Sequence, residues 1–236
     1  MLANPARRIG TLLFGGSCFL CRGHAAELLC RECDADLPRL TMDLCPRCAL
    51  PSPAGAVCGR CLTQPPHYDA TLAALAYRFP ADVLVHALKF RNELALAPFF
   101  ANLLAQKLTA DERVDFILPV PLSASRLRER GYNQALEIGR DIARAKNVRL
   151  APELCERRRD TPAQAALPLA ERAKNVRDAF HCPRLLEGAK IAVLDDVMTT
   201  GATLDEIAAT LKRAGAARVV NWAVTRTFPT FPLAHH

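Results

Sequence analysis

Residues 191 to 206 read IAVLDDVMTTGATLDE, a run that brings two adjacent carboxylates, a small-residue loop with three hydroxyls and a helix start into one unbroken stretch. Ile191 to Leu194 is short, apolar and β-rich, the pattern of an interior parallel strand. Asp195 and Asp196 would then stand at its carboxyl end, where open α/β sheets bind ligands. A Gly-containing turn into a helix offers backbone N–H groups and the positive end of the helix dipole to an anion. Gly201 lets the backbone come close, Ala202 is small, and the hydroxyls of Thr199, Thr200 and Thr203 can add hydrogen bonds to phosphate oxygens. Two carboxylates beside a phosphate would repel it, so they suit sugar hydroxyls or a hydrated Mg²⁺. The run Asp195, Asp196, Val197, Met198, Thr199, Thr200, Gly201, Ala202 and Thr203 is therefore a candidate site for a phosphorylated sugar.

The second chemical signal is a ladder of cysteines. Of ten in the chain, eight fall in four CxxC pairs: Cys18/Cys21, Cys30/Cys33, Cys45/Cys48 and Cys58/Cys61. A two-residue gap turns both thiolates toward one cation, and Zn²⁺ takes four soft ligands in a tetrahedron. The gaps between pairs within each half are nearly equal, so Cys18 to Cys33 and Cys45 to Cys61 read as one unit repeated, with two structural zinc ions. Spacing alone leaves open whether each ion takes consecutive or interleaved pairs. Such a ribbon buries little apolar surface, so metal would supply most of its folding free energy. Cys155 and Cys182 have no partner in sequence and read as small buried residues.

Disulfides would need an oxidising compartment. The N-terminal run MLANPARRIGTLLFGGSC holds only a six-residue apolar stretch interrupted by Gly10 and Thr11, too short for a signal sequence or a membrane span. A cytoplasmic protein with reduced, metallated cysteines and no membrane insertion is the expectation.

The net charge of +7 is uneven: Arg113 to Lys190 holds sixteen Lys and Arg against ten Asp and Glu. Two uses compete, a polyanion surface for nucleic acid and a counter-charge field for a small, highly charged anion. Tyr132 is the best-placed aromatic for stacking on bases, with Phe90 and Tyr77 assigned to the core.

With 236 residues, the chain has room for one ordinary domain beside the ribbon. TQPPHYD, residues 63 to 69, is a Pro-rich linker, giving a ribbon over 1–64 and a second domain over 65–236. There strands (70–77, 116–120, 151–157, 178–182, 191–194, 219–224) alternate with helices (81–90, 94–108, 133–145, 204–214). On the first helix Val83, Leu84, Ala87 and Leu88 share one face. The alternation predicts an α/β, doubly wound parallel sheet.

The acidic pair followed by TTGAT resembles the ribose-phosphate loop of the type I phosphoribosyltransferases. HALKF (86–90), LPVPL (118–122), RERGYNQA (128–135) and RRRDTPAQ (157–164), together with the cysteine ladder, are similar to the ComF/GntX family over nearly the whole chain. That resemblance implies a phosphoribosyltransferase fold behind a double zinc ribbon, and phosphoribosyl pyrophosphate with Mg²⁺ as ligand at residues 195–203. It implies pyrophosphate contacts from Lys89, Leu122, Ser123 and Arg126, and a mobile lid over Asp160 to Val176. Single-stranded DNA and competence proteins are the implied partners. Two other functions stay open: a phosphoribosyltransferase acting on a small acceptor, and a zinc-ribbon adaptor on a non-catalytic scaffold.

Overall fold

A computed structural model describes residues 16–109, 113–159 and 172–229. The ribbon is the expected repeat. Its first unit is the hairpin β1 (Gly16–Ser17) and β2 (His24–Ala25) followed by α1 (Arg31–Ala35), which starts from Cys30. In the second, Leu44 bridges to Pro51 and α2 (Gly59–Thr63) starts from Cys58. The same bonds recur in both units. Cys18 N–H donates to Gly23 O at 2.7 Å and Cys45 N–H to Leu50 O at 2.8 Å, while Arg22 and Ala49 close each knuckle onto the carbonyl of its first cysteine.

Beyond the linker, β3 (Ala70–Ala76) leads into α3 (Ala81–Phe90) and α4 (Leu96–Lys107). Strand β4 (Phe116–Pro119), helices α5 (Ala124–Arg130) and α6 (Gln134–Lys146), and the short edge strand β5 (Arg149–Leu150) follow. After β6 (Glu156–Arg157), α7 (Arg172–Val176) and β7 (Phe180–His181), the chain finishes its sheet with β8 (Lys190–Met198), α8 (Ala202–Arg213) and β9 (Arg218–Arg226). The five-stranded sheet has the order β3-β9-β8-β4-β5, and every pair in it is parallel. Helices α3, α4 and α6 cover one face through Leu84, Leu88, Leu96, Phe100, Ile138 and Ile142; α8 covers the other through Leu204, Ile207 and Leu211. The doubly wound α/β architecture expected from the alternation is present.

Gly139 of α6 shows how tightly the first layer packs. A methyl group there would lie 2.8 Å from the Leu150 side-chain tip and 3.2 Å from that of Leu194, so any larger residue would have to push those tips aside for α6 to sit as close to the sheet.

Several element expectations are corrected. Residues 151–157 hold a 3-10 turn over Pro152–Leu154 and the two-residue β6, which pairs with β7 outside the main sheet. Helix α5, capped by Ser123, has no counterpart among the expected helices. On α3 the buried residues are Ala81, Leu84, Val85, Ala87 and Leu88, and Val83 lies outside that stripe, 38% exposed. The lid segment falls mostly outside the described residues, with α7 as its described part. Among the described residues no helix is long and apolar enough to cross a membrane.

The ribbon is docked on this domain. Residues 38–40 run antiparallel to the edge strand β3, with Leu40 N–H donating to Ala74 O (3.1 Å) and Ala76 N–H to Pro38 O (2.8 Å). Cys18, Leu29 and Leu37 join the core under α3 and α4, and Leu40 and Ala49 join the core on the α8 side.

Candidate functional site

Strand β8 is longer than Ile191–Leu194: it runs to Met198, so Asp195 and Asp196 lie within it rather than past its end. Asp195 pairs with Ala223 and Val197 with Thr225 on β9. The loop proper is Thr199–Gly201, and α8 opens at Ala202 with Gly201 as its N-cap. Gly201 has φ +86°, in the left-handed region that favours glycine. Thr200 Oγ1 accepts from Ala202 N–H (3.3 Å), which shapes the turn, and the dipole of α8 begins there. Thr199, Thr200, Ala202 and Thr203 are all partly exposed, as a ligand-binding loop requires.

Asp196 is 1% exposed and forms an ion pair with Lys89 Nζ of α3 at 2.9 Å. Lys89 thus stands against the carboxylate pair, one of the placements that sequence spacing could not specify. Asp195 is half-buried, and its Oδ1 accepts the N–H of Asp196 at 2.9 Å. Burial first, and then the neighbouring Asp196, push the Asp195 carboxyl well above its usual range, against the opposing pull of Lys89. A carboxyl whose folded pKa is raised holds its proton longer in the folded than in the unfolded chain, so it lowers stability as pH climbs from the unfolded value of about 3.9 through the folded one. Asp195→Asn is therefore expected to melt higher than wild type at neutral pH, with the gap closing toward pH ~4. Melting curves of both proteins across that window check it; parallel pH profiles would refute it.

The loop after β4 lies one strand away, because Val120 N–H donates to Leu194 O at 2.9 Å. Ser123, 1% exposed, caps α5 and its hydroxyl is 3.0 Å from that of Ser125. Leu122 and Arg126 flank it, each partly buried. The loops after β4 and β8 therefore emerge at the same edge of the sheet.

Sequence reasoning missed four residues that hold the Thr199–Gly201 loop or the first turn of α8 after it: Arg60, His67, Tyr68 and Arg226. Arg226, at the end of β9 and 1% exposed, donates to the carbonyls of Met198 (3.0 Å) and Thr199 and to that of Cys48 (2.8 Å). Arg60 donates to Thr200 O at 3.3 Å. His67 binds Asp205 in the first turn of α8 through its N–H (2.6 Å) and its ring (3.2 Å). Tyr68 is buried against Gly201. The bonds made by Arg60 and His67 join residues 138 or more positions apart, a reach no local pattern contains.

The aromatic assignments are reversed. Tyr132 is partly buried, with its hydroxyl donated to Leu88 O. Phe90 is 62% and Tyr77 37% exposed, and Phe79 is 74% exposed. Val83, His86 and Phe90 fall at intervals of three and four, along one outer stripe of α3, and Phe79 lies just before that helix. His86 lies against Phe90 (ring centroids 4.7 Å), and Arg130 stands over the Phe90 ring at 5.4 Å. Cys155 and Cys182 also gain a neighbour: the β6–β7 register, Glu156 opposite His181, brings them across from each other. Burial, and then Cys182, raise the Cys155 thiol to about 12, so it is a poor nucleophile.

In the ribbon the sulfurs of Cys18, Cys21, Cys30 and Cys33 lie within 4.8 Å of one another, as do those of Cys45, Cys48, Cys58 and Cys61. Tetrahedral zinc with bonds of about 2.3 Å spaces its sulfurs roughly 3.8 Å apart. Cys21 to Cys30 is 3.7 Å and Cys48 to Cys58 is 3.6 Å, so both clusters fit zinc. Each site uses consecutive pairs, which settles the alternative that spacing left open. The N–H of Cys58 also donates to Cys45 Sγ at 3.3 Å, a bond that favours thiolate. These are two structural zinc sites.

The chain is similar to several known proteins. Residues 9–62 match the model of the double zinc ribbon domain. The DNA utilization protein YhgH of Escherichia coli O6:H1 is 34% identical over 224 residues, covering 90% of this chain and 97% of that protein. Competence protein F of Haemophilus influenzae is 29% identical, over 90% of this chain and 98% of its own. Among solved structures, the allosteric regulatory enzyme of purine biosynthesis is similar over 55% of this chain and 25% of that one, at 23% identity and a TM-score of 0.38.

Proposed function

The chain belongs to the ComF/GntX family, and we propose from that membership that residues 65–236 bind phosphoribosyl pyrophosphate and that the protein serves the handling of single-stranded DNA. The observation that carries the ligand is the arrangement at the end of β8: an acidic pair inside an interior strand, then a three-residue loop whose glycine has φ +86° at the start of α8. Asp195 and Asp196 take the ribose hydroxyls, and the amides and hydroxyls of Thr199 to Thr203 take the 5-phosphate. Val197 and Met198 carry the strand into that loop. Pyrophosphate lies toward Leu122, Ser123 and Arg126, where Mg²⁺ would arrive with it and offset its charge. Lys89 pairs with Asp196 at 2.9 Å and would turn to pyrophosphate as the ribose hydroxyls engage that carboxylate.

Calorimetry with Mg²⁺ tests this reading, with ribose 5-phosphate and pyrophosphate as comparators. Phosphoribosyl pyrophosphate should bind more tightly than either fragment, and at a hundred times its dissociation constant it should stabilise the fold by about 2.7 kcal/mol. Absence of both heat and stabilisation would refute it and favour the adaptor reading. Pyrophosphate released only when one particular acceptor is added would instead identify a transferase.

For DNA, the exposed Val83, His86 and Phe90 on α3, with Phe79 before the helix and Arg130 over the Phe90 ring, favour single strands, because bases stack on aromatic faces while cations meet phosphates. Each stacked base contributes roughly 1–3 kcal/mol. Phe90→Ala is therefore expected to weaken binding of a labelled oligo-dT about five- to a hundredfold, as read by fluorescence anisotropy at fixed salt. Unchanged affinity would remove the stripe from the DNA path.

A further inference from the structure

Arg226 is an unusual residue to find buried. Lys and Arg are seldom fully enclosed without a carboxylate, yet Arg226 is 1% exposed and its hydrogen bonds go to main-chain carbonyls. Those carbonyls belong to two places. One is Cys48, a zinc ligand; the others are Met198, Thr199 and Thr227, at and beside the loop after β8. A planar guanidinium is suited to this, since its rigid fork bonds several acceptors at once. A zinc ion held by four thiolates carries a net charge of about −2, which places the missing counter-charge beside the same guanidinium.

A second arginine repeats the connection. Arg60, between Cys58 and Cys61, donates to Thr200 O. Carbonyls 198, 199 and 200 are thus each held by an arginine tied to, or part of, the second cysteine cluster. Ala49, next to Cys48, packs in the same core as Met198 and Tyr68. Cys18 of the first cluster lies in the other core, with Leu84, Leu88 and Leu96.

We propose that Arg226 is a positioning residue of the phosphate loop, and that metal in the second cluster, Cys45/Cys48/Cys58/Cys61, keeps that loop ordered while metal in the first does not. The assignment rests on reading residues 199–203 as a phosphate site. It makes ligand affinity depend on which cluster is filled, so the second half of the ribbon acts as part of the binding site.

The test is amide hydrogen exchange of residues 198–203 in the full-length protein, with zinc content measured on the same samples. Cys58→Ser and Arg226→Met should each speed exchange in the loop by about ten- to a hundredfold, as expected for loss of charged hydrogen bonds, and leave α6 unchanged. Cys21→Ser should leave the loop at the wild-type rate. Arg226→Lys, able to bond the loop but not to bridge it to Cys48, should fall between. Should Arg226→Met fail to fold, the exposed Arg60→Ala provides the reading, with an expected acceleration of roughly threefold or more at Thr200 and its neighbours. Equal acceleration by Cys21→Ser and Cys58→Ser, or none by Cys58→Ser, would overturn the proposal. Parallel calorimetry separates the two levels: a wild type that does not bind phosphoribosyl pyrophosphate defeats the site assignment, while the exchange rates still decide the role of Arg226.

Discussion

Removal of both zinc ions is expected to unfold the ribbon and to lower the melting temperature of the whole chain by more than ~10 °C. Structural zinc sites contribute on the order of 10–16 kcal/mol of apparent binding free energy each, as much as the roughly 5–15 kcal/mol that holds an ordinary domain together. Apart from the side chains it packs onto the neighbouring domain, the ribbon has little else to rely on. The described residues of its second unit cluster around Cys45, Cys48 and Cys61 themselves, with Leu50, Val57 and Cys58 packed against them. Its loss would reach the neighbouring domain, because residues 38–40 cover the edge of β3 and leave the N–H of Ala76 and the O of Ala74 unpaired when they go. For a chain of this size a loss of even ~5 kcal/mol moves the midpoint by roughly 10–20 °C. Elemental analysis should give two zinc ions per chain, and a strong chelator should produce an early-melting, aggregation-prone protein. A chelated, metal-free chain with the wild-type melt would refute a structural role.

What the sequence disclosed follows the range of the interactions involved. The cysteine clusters were legible because each knuckle is made within a few residues, and the repeat shows in its spacing. Strand β8 and its loop were legible for the same reason, although the strand's true end was not: pairing with β9 carries it past Asp196 to Met198, and pairing partners 28 positions apart leave no local mark. Arg226 was missed because a cation closing an apolar strand reads as its solvated end. The carbonyls of Cys48, Met198, Thr199 and Thr227 explain its burial, and one of them lies 178 positions away. Phe90 was misassigned because an aromatic on an amphipathic helix is ordinarily core, whereas the arc that α3 buries is narrower than its apolar content and leaves Phe90 and Val83 outside. Cys155 and Cys182 became neighbours only through the β6–β7 pairing.

The last expected result concerns the smallest residue in the site. Gly201→Ala should weaken binding of phosphoribosyl pyrophosphate by about a hundredfold, with a loss of stability on the order of 1–3 kcal/mol. Two costs act together. The φ of +86° is strained for any residue with a Cβ. The added methyl would also lie 2.8 Å from Met198 Cε and 3.0 Å from the Tyr68 hydroxyl oxygen. The methionine tip can move aside, but Tyr68 is 4% exposed and has no free space to enter without disturbing the core shared with Ala49 and Leu204. The loop must therefore shift, and amides aimed at phosphate lose their aim within an ångström of movement. The two costs separate experimentally. Tyr68→Phe removes the clashing oxygen and leaves the backbone strain, so the double variant should recover part of the affinity lost by Gly201→Ala, and a double-mutant cycle by calorimetry should show that coupling. An unchanged affinity in Gly201→Ala would mean that ligand does not approach the backbone of this loop, and would direct the search for phosphate to the loop after β4.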